Sequence, residues 1–164
     1  MRQSGMTAHV RVGIAEIFRA AAVGVFQGYV LIDLCFDVES LRGKFSSSRP
    51  FYMGRDEHPK FPDRLLILQL PMLLALMSML YVSLVRDRCW QNIAALVLLL
   101  GSLFGGSQVL KLRETMASQR DSDSLVHAAL VEIAWVHVAM FVMLGVCLML
   151  LCAAGVRSEK QKGG

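Results

Sequence analysis

The sequence predicts an all-α polytopic membrane protein, a bundle of four transmembrane helices running up-down-up-down. Three observations point there. Hydrophobic residues make up 55% of the 164, and the mean hydropathy of +0.51 exceeds what a soluble domain usually carries. The charges gather in a few blocks and leave long stretches empty, as in a multi-pass chain. There are four such stretches, and short connections would return each helix antiparallel to the last. The chain is one membrane domain by length, 1–164.

The first helix is expected over roughly 13–36. Its charge-free part, Ala20 to Ile32, would rise only about 20 Å against a hydrocarbon core of about 30 Å. Charged groups therefore lie within the membrane at one end: Glu16 and Arg19, three apart and able to pair, or Asp33. Arg19 can snorkel; Asp33 is too short to do so. Ala20, Gly24 and Gly28 recur every four residues and form a groove that another membrane helix could approach closely. No cleavage site follows this run, so it reads as a retained helix and not as a secretory signal.

A hydrophilic connection is expected over 37–64, with Pro50, Pro59 and Pro62 opposing a continuous helix. A loop of this length suits a functional or docking role. Helix two is expected over 65–85, kinked near Pro71, with a turn at Arg86 to Arg88 and Trp90 at the interface. Helix three, over 89–110, carries Gly101 and Gly105, a second small-residue groove and a candidate partner for the first. Helix four is expected over 124–156, followed by a basic flexible tail, 157–164.

Composition also excludes several classes. The net charge of +4 bears on membrane sidedness, since no basic stripe interleaved with aromatics marks a nucleic-acid surface. Cys35, Cys89, Cys147 and Cys152 form no C-x-x-C pair, so neither a disulfide framework nor a metal site is expected and the thiols read as small hydrophobes. No P-loop, Rossmann turn or serine triad is present. His137 has no histidine partner at comparable depth on another helix, so bis-histidine haem is not expected. No motif indicates a cofactor. Basic residues divide almost evenly between the two membrane faces. The acidic excess opposite the termini leans the termini toward the cytoplasm or an equivalent compartment.

The topology has one consequence for chemistry. Asp33 and Asp37 end helix one, Lys111 ends helix three and Glu132 begins helix four, all at one membrane face. Gln108, Trp135 and His137 lie a turn or two deeper. Asp33, Asp37, Glu132 and His137 are the candidate catalytic groups, as base or proton relay. Trp135, Gln108 and Lys111 are candidates for substrate contact. The plainer alternative is that interfacial groups cap helix ends and pair with one another.

The octapeptide Ile32-Asp33-Leu34-Cys35-Phe36-Asp37-Val38-Glu39 resembles the D-L-x-F-D-V-[QE] end of helix one in small uncharacterised bacterial four-helix membrane proteins. That resemblance implies the four-helix layout and no particular activity. Trp135 and His137 near the start of the last helix are similar to a Trp and a His in the anthrone oxygenase-like membrane family, which would imply a lipophilic substrate.

Three functions are compatible with the sequence. The first is a binding, structural or assembly subunit of a larger membrane complex, held by a protein partner or as a homo-oligomer in the bilayer. The second is a small membrane enzyme or redox protein acting on a lipophilic substrate such as a quinone or polyketide, which predicts a cavity between helices one and four. The third is an oligomeric ion-coupled transporter using Glu16 or Asp33.

Overall fold

The computed structural model describes the backbone of residues 3–46, 48–53, 73–86, 89–119 and 121–162, and side chains between 17 and 154 within those segments, Arg86 excepted. The described chain is helical: α1 (Gln3–Leu41), α2 (Ser48–Met53), α3 (Leu73–Val85), α4 (Trp90–Ser118) and α5 (Asp123–Lys162). Three segments are long and apolar enough to cross a membrane, Ile17–Leu41, Trp90–Ser118 and Asp123–Ala154, and α3 is a shorter apolar helix. Only 22 to 28% of their most apolar windows is buried. Their hydropathy therefore serves an apolar exterior more than a core. The expected first half of helix two, the Pro71 kink and the turn at Arg86 to Arg88 fall on, or extend into, residues outside the described ones.

The helices are longer than hydropathy suggested, because helices end at breakers and not at charges. α1 runs past Asp37 to Leu41, since nothing before Gly43 interrupts it. There Gly43, at φ 73°, supplies the left-handed residue that L side chains avoid. Its N–H bonds the Ser40 carbonyl at 3.0 Å, and the Lys44 N–H bonds the Glu39 carbonyl at 2.8 Å. This pair of bonds is a Schellman stop. α4 likewise continues beyond Leu110 through Lys-Leu-Arg-Glu-Thr-Met, which holds no glycine or proline. α3 ends in a π-turn, Val82–Arg86, where the Ser83 hydroxyl donates to the Asn92 carbonyl across the connection.

α5 is the centre of the assembly. Its buried residues Val126, Leu130, Ile133, His137, Met140, Leu144 and Cys147 alternate steps of four and three, the spacing of a coiled-coil seam. α1 carries a matching series, Arg19, Val23, Phe26, Val30, Asp33, Asp37 and Ser40, each buried or half-buried. The two run antiparallel: Gln27 donates to the Phe141 carbonyl near one end, and Asp37 meets His137 toward the other. α4 packs antiparallel on the same helix, with Cys147 donating to the Ala95 carbonyl and Gly105 against Met140. α1 and α4 both rest on α5 and touch each other little.

Two hydrophobic clusters follow. One, around Val23, Val30, Met79, Leu99, Met140 and Leu144, lies within the apolar lengths of the helices. The other, around Tyr52, Met116, Val126, Leu130 and Ile133, is built by α2 with the C-terminal part of α4 and the N-terminal part of α5. Phe36 stacks on Phe51 at 4.1 Å and Phe45 on His127 at 3.9 Å. Arg49 pairs with Asp123 at 2.7 Å, so α2 is fastened to α5 from outside as well.

The small-residue grooves have different fates. A Cβ at Gly105 would lie 2.8 Å from Met140 Cγ, and one at Gly101 would lie 3.2 Å from Met143 Sδ. That groove therefore seats methionines of α5, and not the groove of α1. A Cβ at Gly24 or Gly28 would meet nothing within 4 Å among the described residues. The reason is helical phase: the buried seam passes through Val23, Phe26 and Val30, and Gly24 and Gly28 lie off it. Ala20, next to the seam residue Arg19, is half-buried. Arg19 itself is 5% exposed and does not snorkel; the side chain of Glu16 lies outside the described residues.

Candidate functional site

The two seams bring polar residues to the same level. Asp37 is fully buried on α1 and His137 is 4% exposed on α5. His137 Nδ1 lies 2.6 Å from Asp37 Oδ2. Tyr52, on α2, donates its hydroxyl to Asp37 Oδ1 at 2.8 Å, and its Oη is 3.5 Å from His137 Nδ1. An ionised carboxylate only accepts hydrogen bonds, so Nδ1 carries the imidazole proton. Asp37 thereby receives a donor on each oxygen, which a buried carboxylate requires.

Fixing Nδ1 leaves Nε2 as the free face of the ring. It points toward Asp33, whose Oδ2 is 3.8 Å away, beyond a direct hydrogen bond. Both groups line a cleft of about 280 Å³. Its walls are Phe26, Tyr29 and Val30 of α1 and Leu103, Gly106, Ser107, Val109, Leu110 and Arg113 of α4, with His137 and Met140 of α5 as its floor. The cleft exists because α1 and α4 stay apart over the helix they share. A second cleft of about 240 Å³ lies against Tyr52, Met53, Leu110, Arg113, Glu114, Met116 and Ala117. It falls where α4 has left its apolar run.

Of the candidates named from the sequence, the structure brings Asp33, Asp37 and His137 together. Glu132, Trp135 and Lys111 are exposed, with Trp135 at 61%. Helical phase explains the first two. Trp135 is two residues, about 200°, from His137, and Glu132 is five residues, about 140°, from it. Gln108 is half-buried and is not among the described residues lining the larger cleft. Tyr52 was not a candidate, because Pro50 and the charges around it suggested an unstructured loop. The four-three seam of α5, where His137 is the only polar member, was a readable signal for the site. Among the described residues, no group of three metal-ligating side chains converges.

The fold and site define a helical protein with three apolar helices of membrane-spanning length and a buried Asp–His–Tyr cluster beside an apolar cleft. Compared with known protein families, with curated proteins and with solved structures, the chain matches none.

Proposed function

We propose that this is a multi-pass membrane protein that binds a lipophilic small molecule carrying a hydroxyl group, in the cleft between α1, α4 and α5. The observation that carries this reading is the lining of that cleft. Its walls are largely apolar, and His137 and Asp33 stand side by side in it. An apolar cleft with a few converging polar groups is the usual form of a small-molecule site. Nε2 and the Asp33 carboxylate stand together as acceptors on the side of the cleft opposite Ser107 and Arg113 of α4, and a hydroxyl placed against that pair would donate to it. His137 Nε2 also stands ready to take the proton of that hydroxyl, with Asp37 hydrogen-bonded to the other ring nitrogen.

The test is binding of 1-naphthol and of naphthalene to the full chain in lipid nanodiscs. The hydroxyl should improve affinity roughly ten-fold or more, as one hydrogen bond to a charged group does. Asp33→Asn and His137→Gln should erase most of that preference. Equal affinity of the two ligands for the unaltered protein would sink the proposal.

A second reading, a subunit of a larger membrane complex, is supported by the open strip at Gly24 and Gly28. A partner helix could lie closely against it. Photo-cross-linking from Val25, 57% exposed, should then trap a partner in native membranes, and Gly28→Leu should abolish the product. Recovery of uncross-linked chain alone would count against it.

A further inference from the structure

We infer that Tyr52, Asp37 and His137 form a proton path that joins the lateral cleft to the second, more polar cleft. The inference deepens the reading of the lateral cleft as a hydroxyl-binding site, and rests on it for its purpose. The observation behind it is that the buried cluster touches both cavities. His137 lines the lateral cleft, Tyr52 lines the other, and Asp37, with no exposed surface, is hydrogen-bonded to each of them.

The two ends differ in surroundings. The lateral cleft is walled mainly by the apolar run of α4 up to Leu110. Leu110 and Arg113 line both clefts, and the second adds Glu114 and the exposed Ala117. The three side chains give a proton taken up at Nε2 a route into that more polar cleft.

Each hop conserves protons and charge. The ligand hydroxyl gives its proton to Nε2 as Nδ1 passes its own to Asp37 Oδ2, leaving a ligand oxyanion beside a neutral ring. The carboxyl group turns to bring its proton to Tyr52 Oη, and in the same step the tyrosine hydroxyl, turned toward the second cleft, releases its own proton to water there, so that no protonated phenol forms. No electron moves, and no oxidant or reductant is needed. The groups facing the ring are Asp33 and Asp37 from α1 and Tyr52 from α2, with Arg113 of α4 in the same cleft wall.

The experiment is the rate at which the imidazole proton of His137 exchanges with water. It is read by NMR on full-length protein labelled with ¹⁵N-histidine in nanodiscs, the resonance being assigned by its loss in His137→Gln. Tyr52→Phe should slow the exchange at least ten-fold while 1-naphthol affinity stays within two-fold. Met53→Trp, which fills the second cleft and leaves the three side chains of the path unaltered in sequence, should slow it as well. Leu103→Trp, which fills the lateral cleft, should leave it unchanged.

Exchange that is indifferent to Tyr52→Phe and Met53→Trp, or slowed equally by Leu103→Trp, overturns the path. If Tyr52→Phe does not fold, the two tryptophan variants decide alone. Failure of naphthol to bind while exchange still slows would remove the ligand reading and leave the path standing. Binding with unaltered exchange would do the reverse.

Discussion

His137 Nδ1 and Asp37 Oδ2, one hundred residues apart in the chain, meet at 2.6 Å on the facing seams of two antiparallel helices. A buried polar pair fixes the register of the helices that share it, because sliding either one leaves a buried polar group without its partner. The pair therefore has a structural consequence before any chemistry. It aligns α1 with α5, and α2 is drawn in to complete it.

The first prediction follows from that geometry. His137→Ala should destabilise the fold by about 3 kcal/mol or more, the cost of leaving a buried carboxylate without its partner. Asp37→Asn combined with His137→Ala should cost less than the two single changes added together, with a coupling of about 1–3 kcal/mol. Denaturant titration in mild detergent measures both. Additive losses would mean the two side chains do not act as a unit.

Much of this was legible in the sequence, and the parts that were not share a cause. Among the described residues, hydropathy located the three long apolar helices, because apolar length is what a membrane selects. It misplaced their ends at Asp37 and Leu110, because charge marks a membrane boundary whereas glycine and proline mark a helix boundary. Asp33, Asp37 and His137, grouped by their expected depth, lie side by side in the structure. Trp135 and Glu132 were grouped with them by depth, but helical phase turns both outward, and depth carries no phase. Tyr52 was invisible because its neighbours belong to a loop, and only the tertiary fold shows that the loop holds a helix. The Gly24 groove was a correct pattern on a face that the described chain does not use.

Tyr52→Phe removes the hydroxyl alone. The ring packs edge-on to Phe51 at 5.0 Å and should stay in place, so the main loss is the hydroxyl's 2.8 Å bond to Asp37. A bond to a charged acceptor contributes roughly 1.5–3 kcal/mol, and that is the expected loss of stability. A thermal melt followed by intrinsic fluorescence would detect it. No change in melting would mean that water or another donor replaces the hydroxyl at Asp37.

Gly105 and Gly24 make a matched pair. Gly105→Ala places a Cβ 2.8 Å from Met140 Cγ, close to the backbone of a packed side chain and not at its flexible tip. Overpacking of this kind costs about 1–3 kcal/mol. Gly24→Ala meets open space and should gain about 0.5–1 kcal/mol from helix propensity. Opposite shifts in detergent stability are expected. A destabilising Gly24→Ala would instead indicate that a partner helix occupies that strip.

Asp33 separates stability from binding. It shares the seam with Asp37, keeps 17% side-chain exposure and faces the cleft. Asp33→Asn removes an acceptor charge at nearly constant volume, and should cost less stability than His137→Ala because the amide keeps an acceptor at the site. The same change should weaken 1-naphthol binding roughly ten-fold, through loss of a charged hydrogen-bond partner, and leave naphthalene binding unaltered. Calorimetric titration of both ligands against one preparation gives the two numbers side by side. Loss of naphthalene binding together with naphthol would show that the substitution collapses the cleft, and Asp33 would then be a structural residue.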